Sequence, residues 1–420
     1  MQRPAWGIII IISLLPVEAL LPPVSFATSV YPLLGMATAG GYVYHHLFIR
    51  RERPVFTWTH LFALLFLLWI SVSNPKAAFA IGTRVWFFTS LQLIVFMWLA
   101  TQLFRTDRER STILYSFAVV ATISALFAIP QVHFGFDSAS SLRARGLAAG
   151  PNGAGWYFTL ATIIAYHTAT TSNRRVVRLT SIAVALVLLA AVAATVSRTA
   201  FIALLVGVIF FSFLPRENRK PQLQFIAALC IGFIVVLPVE FWRIASGIVT
   251  SIVSGTDSIG FRYMQWQTAM PMVRDHPFAG VGIGQFRFFT SFYGVEFVPF
   301  YGTGYVAHSL FFAVLAETGL IGATIFSLML LSTFAAMVVN YKRQEPRHRN
   351  LTLLWLTVSV LVLIGGITAD AQHDKLLWLA IGIQGIPMKS AVFSTACERM
   401  RRFIRVARFK LLDPSFAEMP

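Results

Sequence analysis

Twelve apolar runs divide this chain, most of them long enough to cross a bilayer, which needs about 17 to 25 residues. They cover roughly 5–22, 26–49, 56–73, 82–104, 111–134, 153–171, 179–196, 199–214, 223–239, 306–339, 351–369 and 374–390. Pro16 interrupts the first, the eighth is short, and the tenth is long enough to project beyond the hydrocarbon. Only 12% of the residues are charged, against about 25% in soluble domains. Such a chain must bury its backbone polar groups in helices. The expected fold is therefore an all-α integral membrane protein of about 12 transmembrane helices, with one large extracytoplasmic loop at about 240–305. Residues 1–395 read as a single polytopic domain and 396–420 as a basic cytoplasmic tail. The N-terminus has a signal-like charge and apolar core, but more apolar spans follow it, so it reads as an uncleaved first span.

The loops orient the spans. With the N-terminus inside, 24 of the 34 Lys and Arg fall on that same side, including RRER at 50–53, RENRK at 216–220, KRQEPRHR at 342–349 and the tail. Cytoplasmic enrichment in Lys and Arg is the expected asymmetry. It explains the net charge of +17 without nucleic acid as a partner. Both termini are expected in the cytoplasm. The amphipathic tail (CERMRRFIRVARFKLL) is expected to lie on the anionic inner leaflet.

Two cysteines, Cys230 and Cys397, form no disulfide framework, and neither CxxC nor HExxH occurs. The sequence therefore offers no metal site and calls for no cofactor. Chemistry is expected at the outer face, where the long loop carries Arg243, Arg262, Arg274, Arg287 and His276. Arg198 stands out because TVSRTA is a tight turn between two apolar runs. A charge there either snorkels to the interface or faces a polar cavity as an anion ligand. LRARGLAAGPNGAGWY at 142–157 sets Arg143 and Arg145 beside glycine-rich backbone, entering a span through Pro151 and Asn152. Residues 261–273 suggest an amphipathic helix starting near Arg262 and broken by HPFAGVGIG. The GVGIG stretch lacks the strand and soluble helix of a nucleotide-binding fingerprint and reads as a tight turn.

An enzyme outside the membrane needs a donor that arrives activated, and a lipid-linked diphosphate has that form. Guanidinium groups pair phosphate oxygens bidentately. His308 opens the tenth span and is either a base near neutral pH or a capping residue. Glu317 lies nine residues on, about half a turn away and ~13 Å deeper. It either fixes helix packing or stays protonated. Asp370, His373 and Asp374 sit in the last outer turn.

Five pieces in order, RGLAAGPNGAGWY, SRTAFIALLVG, GFRYMQW, HPFAGVGIGQF and AHSLFFAVLAETGLIGA, resemble the O-antigen ligase and polymerase family of bacterial membrane glycosyltransferases. The resemblance covers about 145–385. It implies a multi-helix fold in the bacterial inner membrane with a periplasmic active site. It implies transfer of a glycan from an undecaprenyl diphosphate carrier to a glycan, lipid A core or other acceptor, without nucleotide sugar or metal. It assigns the diphosphate to Arg198 and Arg262, less directly to Arg145, and the base to His308. Asn152 and Glu317 are secondary or structural candidates. Ser309 and Gly150 depart from the family's usual asparagines. Ligase and polymerase remain open. A transporter or flippase is the rival class, but it would show inverted repeats and helices broken at the midplane, whereas here the polar groups gather at one face and only Glu317 lies clearly within a span.

Overall fold

The computed structural model describes residues 4–21, 30–73, 80–134, 143–212, 219–235, 258–294, 305–369 and 371–384. The basic tail, Cys397, Arg243 and Asp370 lie outside the described residues. Among the described residues there are only helices and connecting turns. They are α1 Ala5–Leu14, α2 Val30–Tyr42, α3 Trp58–Val72, α4 Ala80–Leu103, α5 Asp107–Phe134, α6 Pro151–Thr171 and α7 Arg175–Ala194. Then follow α8 Arg198–Ser212, α9 Lys220–Val235, α10 Ser258–Asp275, α11 Phe286–Tyr293, α12 Leu310–Arg343, α13 Pro346–Ile367 and α14 Lys375–Gln384.

A helix lies in each of the twelve apolar runs. Five of these helices (α4, α5, α7, α12 and α13) are long and apolar enough to cross a membrane, by length and composition. Five other apolar helices are shorter, among them α8, α9 and α14. Pro16 ends α1, and a 3₁₀ segment, Leu15–Leu20, continues the run, because proline removes an amide donor and clashes with the preceding turn.

The core is continuous. α6 packs on α5, α7 and α8, α3 on α12, and α14 on α4. Tyr166 fills the space between α6, α8 and α9, stacked on Phe225 at 4.4 Å and edge-on to Phe211 at 5.0 Å. A smaller apolar cluster, including Ala269, Met272, Val281, Phe286, Ala313 and Ala316, joins α10 and α11 to the start of α12.

The tenth run is not one straight helix. Gly319 takes φ 67° and ψ −173° within α12, a conformation open to glycine alone at little cost. The break frees backbone groups that apolar surroundings would penalise, and neighbours satisfy them. Val281 and Gly282 donate their N–H groups to the Ala316 and Glu317 carbonyls, both at 2.9 Å, and Leu320 donates to the Pro277 carbonyl at 2.8 Å. The Trp69 indole donates to the Thr318 carbonyl at 2.9 Å. The GVGIG stretch is thus a tight turn, as its sequence suggests, and its purpose is to dock on the break. The docking is backbone against backbone. A Cβ at Gly280 would lie 2.4 Å from the Glu317 carbonyl carbon, and one at Gly319 would lie 2.3 Å from the Phe278 carbonyl carbon.

Candidate active site

Three helix starts and one loop helix supply the candidate residues. α7 ends through a turn in which Val196 has φ 51°, costly for a β-branched residue at about 1–3 kcal/mol. The turn closes with Val196 N–H donating to the Ala193 carbonyl at 3.0 Å. Arg198 therefore occupies the first position of α8, behind the buried Ser197. The positive end of a helix dipole is an unfavourable place for a cation and a favourable one for an anion that the cation holds. α6 starts beside it. Gly155 of α6 packs so closely that an added Cβ would meet the Thr195 hydroxyl at 2.8 Å and the Ala200 side chain at 2.9 Å.

Arg143 bridges these two helix starts. Its Nε donates to the Thr195 carbonyl at 3.0 Å, and its Nη2 donates to Asn152 Oδ1 at 2.5 Å. Asn152 thus orients an arginine. Burial first, then the nearby charges of Arg262 and Arg198, hold the Arg143 guanidinium below its ordinary value. Burial and Arg198 do the same to Arg262. Arg145, the residue singled out from sequence, is anchored through its backbone, its N–H donating to Gln131 Oε1 at 3.1 Å. The Arg143 guanidinium, two residues earlier, lies within electrostatic reach of Arg198 and Arg262. No motif in the sequence separates the two arginines. The chain leaves the pair through a turn at Gly146, with φ 59°.

α10 brings Arg262 to the cluster, as the amphipathic pattern suggests. It is zipped to α12 by aromatic contacts. Trp266 stacks on Phe312 with ring centroids 5.4 Å apart, and Phe261 meets Tyr305 at 4.8 Å and His308 at 5.8 Å, both edge-on. His308 takes φ 49°, and the chain turns there into α12 behind the buried Ser309. Burial, then Arg262, push the His308 imidazole below its usual 6.5. At neutral pH it is therefore an uncharged ring, able to accept a proton. A hydroxyl contact at 3.3 Å between Thr368 and Thr199 ties the end of α13 to the first turn of α8.

Arg143, Arg198, Arg262 and His308 thus lie within electrostatic reach of one another, through the pairs Arg143–Arg198, Arg143–Arg262, Arg198–Arg262 and Arg262–His308. The charges acting on Arg143 and Arg262 are themselves arginines. Such a cluster suits a ligand with more than one negative charge.

Glu317 has a different place. It is 4% exposed. Its Oε1 accepts the Phe286 N–H and its Oε2 accepts from Gln372 Nε2, each at 3.3 Å. It therefore joins the docked turn, the start of α11 and the turn before α14. Of the outer turn, His373 stacks against Trp86 at 4.0 Å between centroids, and Asp374 caps α14 by accepting the Leu376 N–H at 2.8 Å.

Comparison with curated proteins gives no match. A family model described as O-antigen ligase matches residues 182–327. That segment contains Arg198, Arg262, His308 and Glu317, while Arg143, Arg145 and Asn152 precede it. Over residues 182–327 the chain is thus similar to the O-antigen ligase family.

Proposed function

We propose that this protein transfers a glycan from an undecaprenyl diphosphate carrier to an acceptor at the outer face of the bacterial inner membrane. In this reading the chain crosses the bilayer twelve times with both termini in the cytoplasm, and the arginine cluster opens to the periplasm. The observation that carries the proposal is that Arg143, Arg198, Arg262 and His308 lie within electrostatic reach of one another. The family assignment supports glycan transfer in general.

The step is a direct displacement. His308 takes the proton of the acceptor hydroxyl as its oxygen attacks the anomeric carbon. The bond from that carbon to the diphosphate oxygen breaks, the electron pair leaves with the diphosphate, and the anomeric centre inverts. Arg198 and Arg262 hold the diphosphate and meet the charge that grows on it. Arg143, fixed by Asn152 and the Thr195 carbonyl, adds a third cation. Stabilising such developing charge is usually the largest catalytic contribution. Arg145 is a further basic residue close by in sequence, and Glu317 holds the scaffold beneath His308.

The test uses purified protein, a lipid-diphosphate glycan donor and candidate acceptors. Release of lipid diphosphate is expected to depend on acceptor and to vanish in His308→Ala and Arg262→Ala variants that keep the wild-type melting temperature. Turnover equal to wild type in both variants would overturn the site. Acceptance of lipid A core marks a ligase, and acceptance of another lipid-linked repeat marks a polymerase.

A further inference from the structure

The face of α10 that meets α12 changes character along its length. At Ala269 and Met272 it is apolar and buried, in one cluster with Ala313 and Ala316. One turn nearer Arg262 stand Gln265 and Trp266. Gln265 is 2% exposed, and its buried Oε1 accepts no hydrogen bond from any described residue. The Trp266 Nε1–H is also buried and donates to none. Thr268, buried on the same face, is different, because its hydroxyl donates to the Met264 carbonyl of its own helix at 2.9 Å. Buried polar groups are normally paired, and an apolar residue would pack at this interface without loss. One open acceptor beside one open donor calls for a partner that supplies both a donor and an acceptor.

Their position says which partner. Phe261 meets His308 and Trp266 stacks on Phe312, so α10 and α12 run alongside each other through two successive contacts. Arg262 belongs to the first. Gln265 and Trp266 lie ~4.5 and ~6 Å further along the α10 axis, about 60° to one side of Arg262 and about 40° to the other. In projection, Arg262 falls between them. In the proposed reaction the diphosphate sits on Arg262 and the anomeric carbon faces His308. The first sugar is bonded to that diphosphate, so its ring lies within a ring's width of both residues, the range at which the open pair stands. Phosphate oxygens only accept at neutral pH, and an isoprenoid chain does neither, so neither part of the carrier can satisfy Gln265 Oε1. A sugar ring, with its hydroxyl or amide substituents, both donates and accepts.

We infer that Gln265 and Trp266 form the subsite for the first sugar of the lipid-linked donor. Gln265 Oε1 accepts a hydroxyl or amide proton of the sugar, and the Trp266 indole donates to one of its oxygens. The assignment rests on the transfer reaction proposed above.

Equilibrium binding to the full chain in detergent, without acceptor and read by native mass spectrometry, tests it. The probes are undecaprenyl diphosphate, the same lipid carrying one hexose, and the same lipid carrying one N-acetylhexosamine. Wild type is expected to bind at least one sugar-bearing probe about tenfold more tightly than the bare lipid, roughly the worth of one good hydrogen bond. Gln265→Leu exchanges a buried open acceptor for an apolar group, so its melting temperature is expected to hold or rise, and Trp266→Phe keeps a ring against Phe312. Each variant is expected to hold the bare lipid as wild type does and to lose the preference for the sugar. No preference in wild type, or one that persists in both variants, would overturn the subsite and leave the pair to buried water. A raised KM for the acceptor with the donor preference intact would overturn it in favour of the acceptor's sugar. Failure of wild type to bind any of the lipid diphosphates would instead overturn the transfer reaction, and the subsite with it.

Discussion

Replacing Gly280 by alanine tests the joint that carries the His308 end of α12. The residue has φ 68°, which costs an alanine about 1–3 kcal/mol. Its new methyl would lie 2.4 Å from the Glu317 carbonyl carbon and 2.5 Å from the Thr318 nitrogen. Both are backbone atoms with no rotamer to yield, so overpacking adds about 1–3 kcal/mol. A loss of about 4 kcal/mol follows. With an unfolding entropy of ~2 cal/mol/K per residue over 420 residues, that corresponds to a melting point lower by about 4–5 °C. Intrinsic fluorescence of the purified protein during a thermal ramp reads it. Gly260→Ala is the control. It lies in α10, a Cβ there meets nothing within 4 Å, and helix propensity predicts no loss or a small gain. If Gly280→Ala melts within a degree of wild type, the backbone-to-backbone docking argued here is wrong.

Three further outcomes are expected. Arg143→Ala should lower kcat/KM of glycan transfer about a hundredfold, the usual effect of removing one donor to developing charge, while Asn152→Ala, which only releases that arginine, should cost less; steady-state release of lipid diphosphate measures both. The acid limb of the kcat/KM profile should have its midpoint below 6.5, because burial and then Arg262 favour the uncharged His308 and the rate falls as pH drops through that lowered value. In Arg262→Ala a positive neighbour is gone and protonation becomes easier, so the His308 titration followed by NMR in that variant should move up. Glu317→Gln keeps the shape, but it sets an amide donor against one of two existing donors, Phe286 N–H and Gln372 Nε2, so the melting curve should reveal a loss of about 1–3 kcal/mol.

The helices were legible because apolar run length depends on a single physical requirement, and α10 because its apolar residues repeat at helical spacing. The approach of Arg198, Arg262 and His308 was an expectation of the family resemblance, since no local pattern relates residues so far apart. What stayed hidden depends on backbone sign and on contacts between distant segments. The break at Gly319 lies inside an apolar stretch whose composition runs on unchanged. Val196 and His308 adopt left-handed conformations that neither residue type advertises. That Arg143 is held by the Thr195 carbonyl and Asn152 depends on residues that no local pattern links to it. Glu317 could be read as significant from its depth in an apolar run, but its partners come from elsewhere, Phe286 in the docked loop and Gln372 before α14.

The joint at Gly319 also bears on how the protein responds to the bilayer around it. A helix longer than the local hydrocarbon accommodates by tilting, and a straight 34-residue rod would transmit that tilt along its whole length to His308. Here the segment 277–282 is bonded on both sides of the break: Val281 and Gly282 donate to the Ala316 and Glu317 carbonyls of the short segment, and Leu320 of the long shaft donates to the Pro277 carbonyl. His308, the proposed base, therefore takes its position from that segment as well as from the shaft, so a tilt set by membrane thickness is shared between the two before it reaches the imidazole.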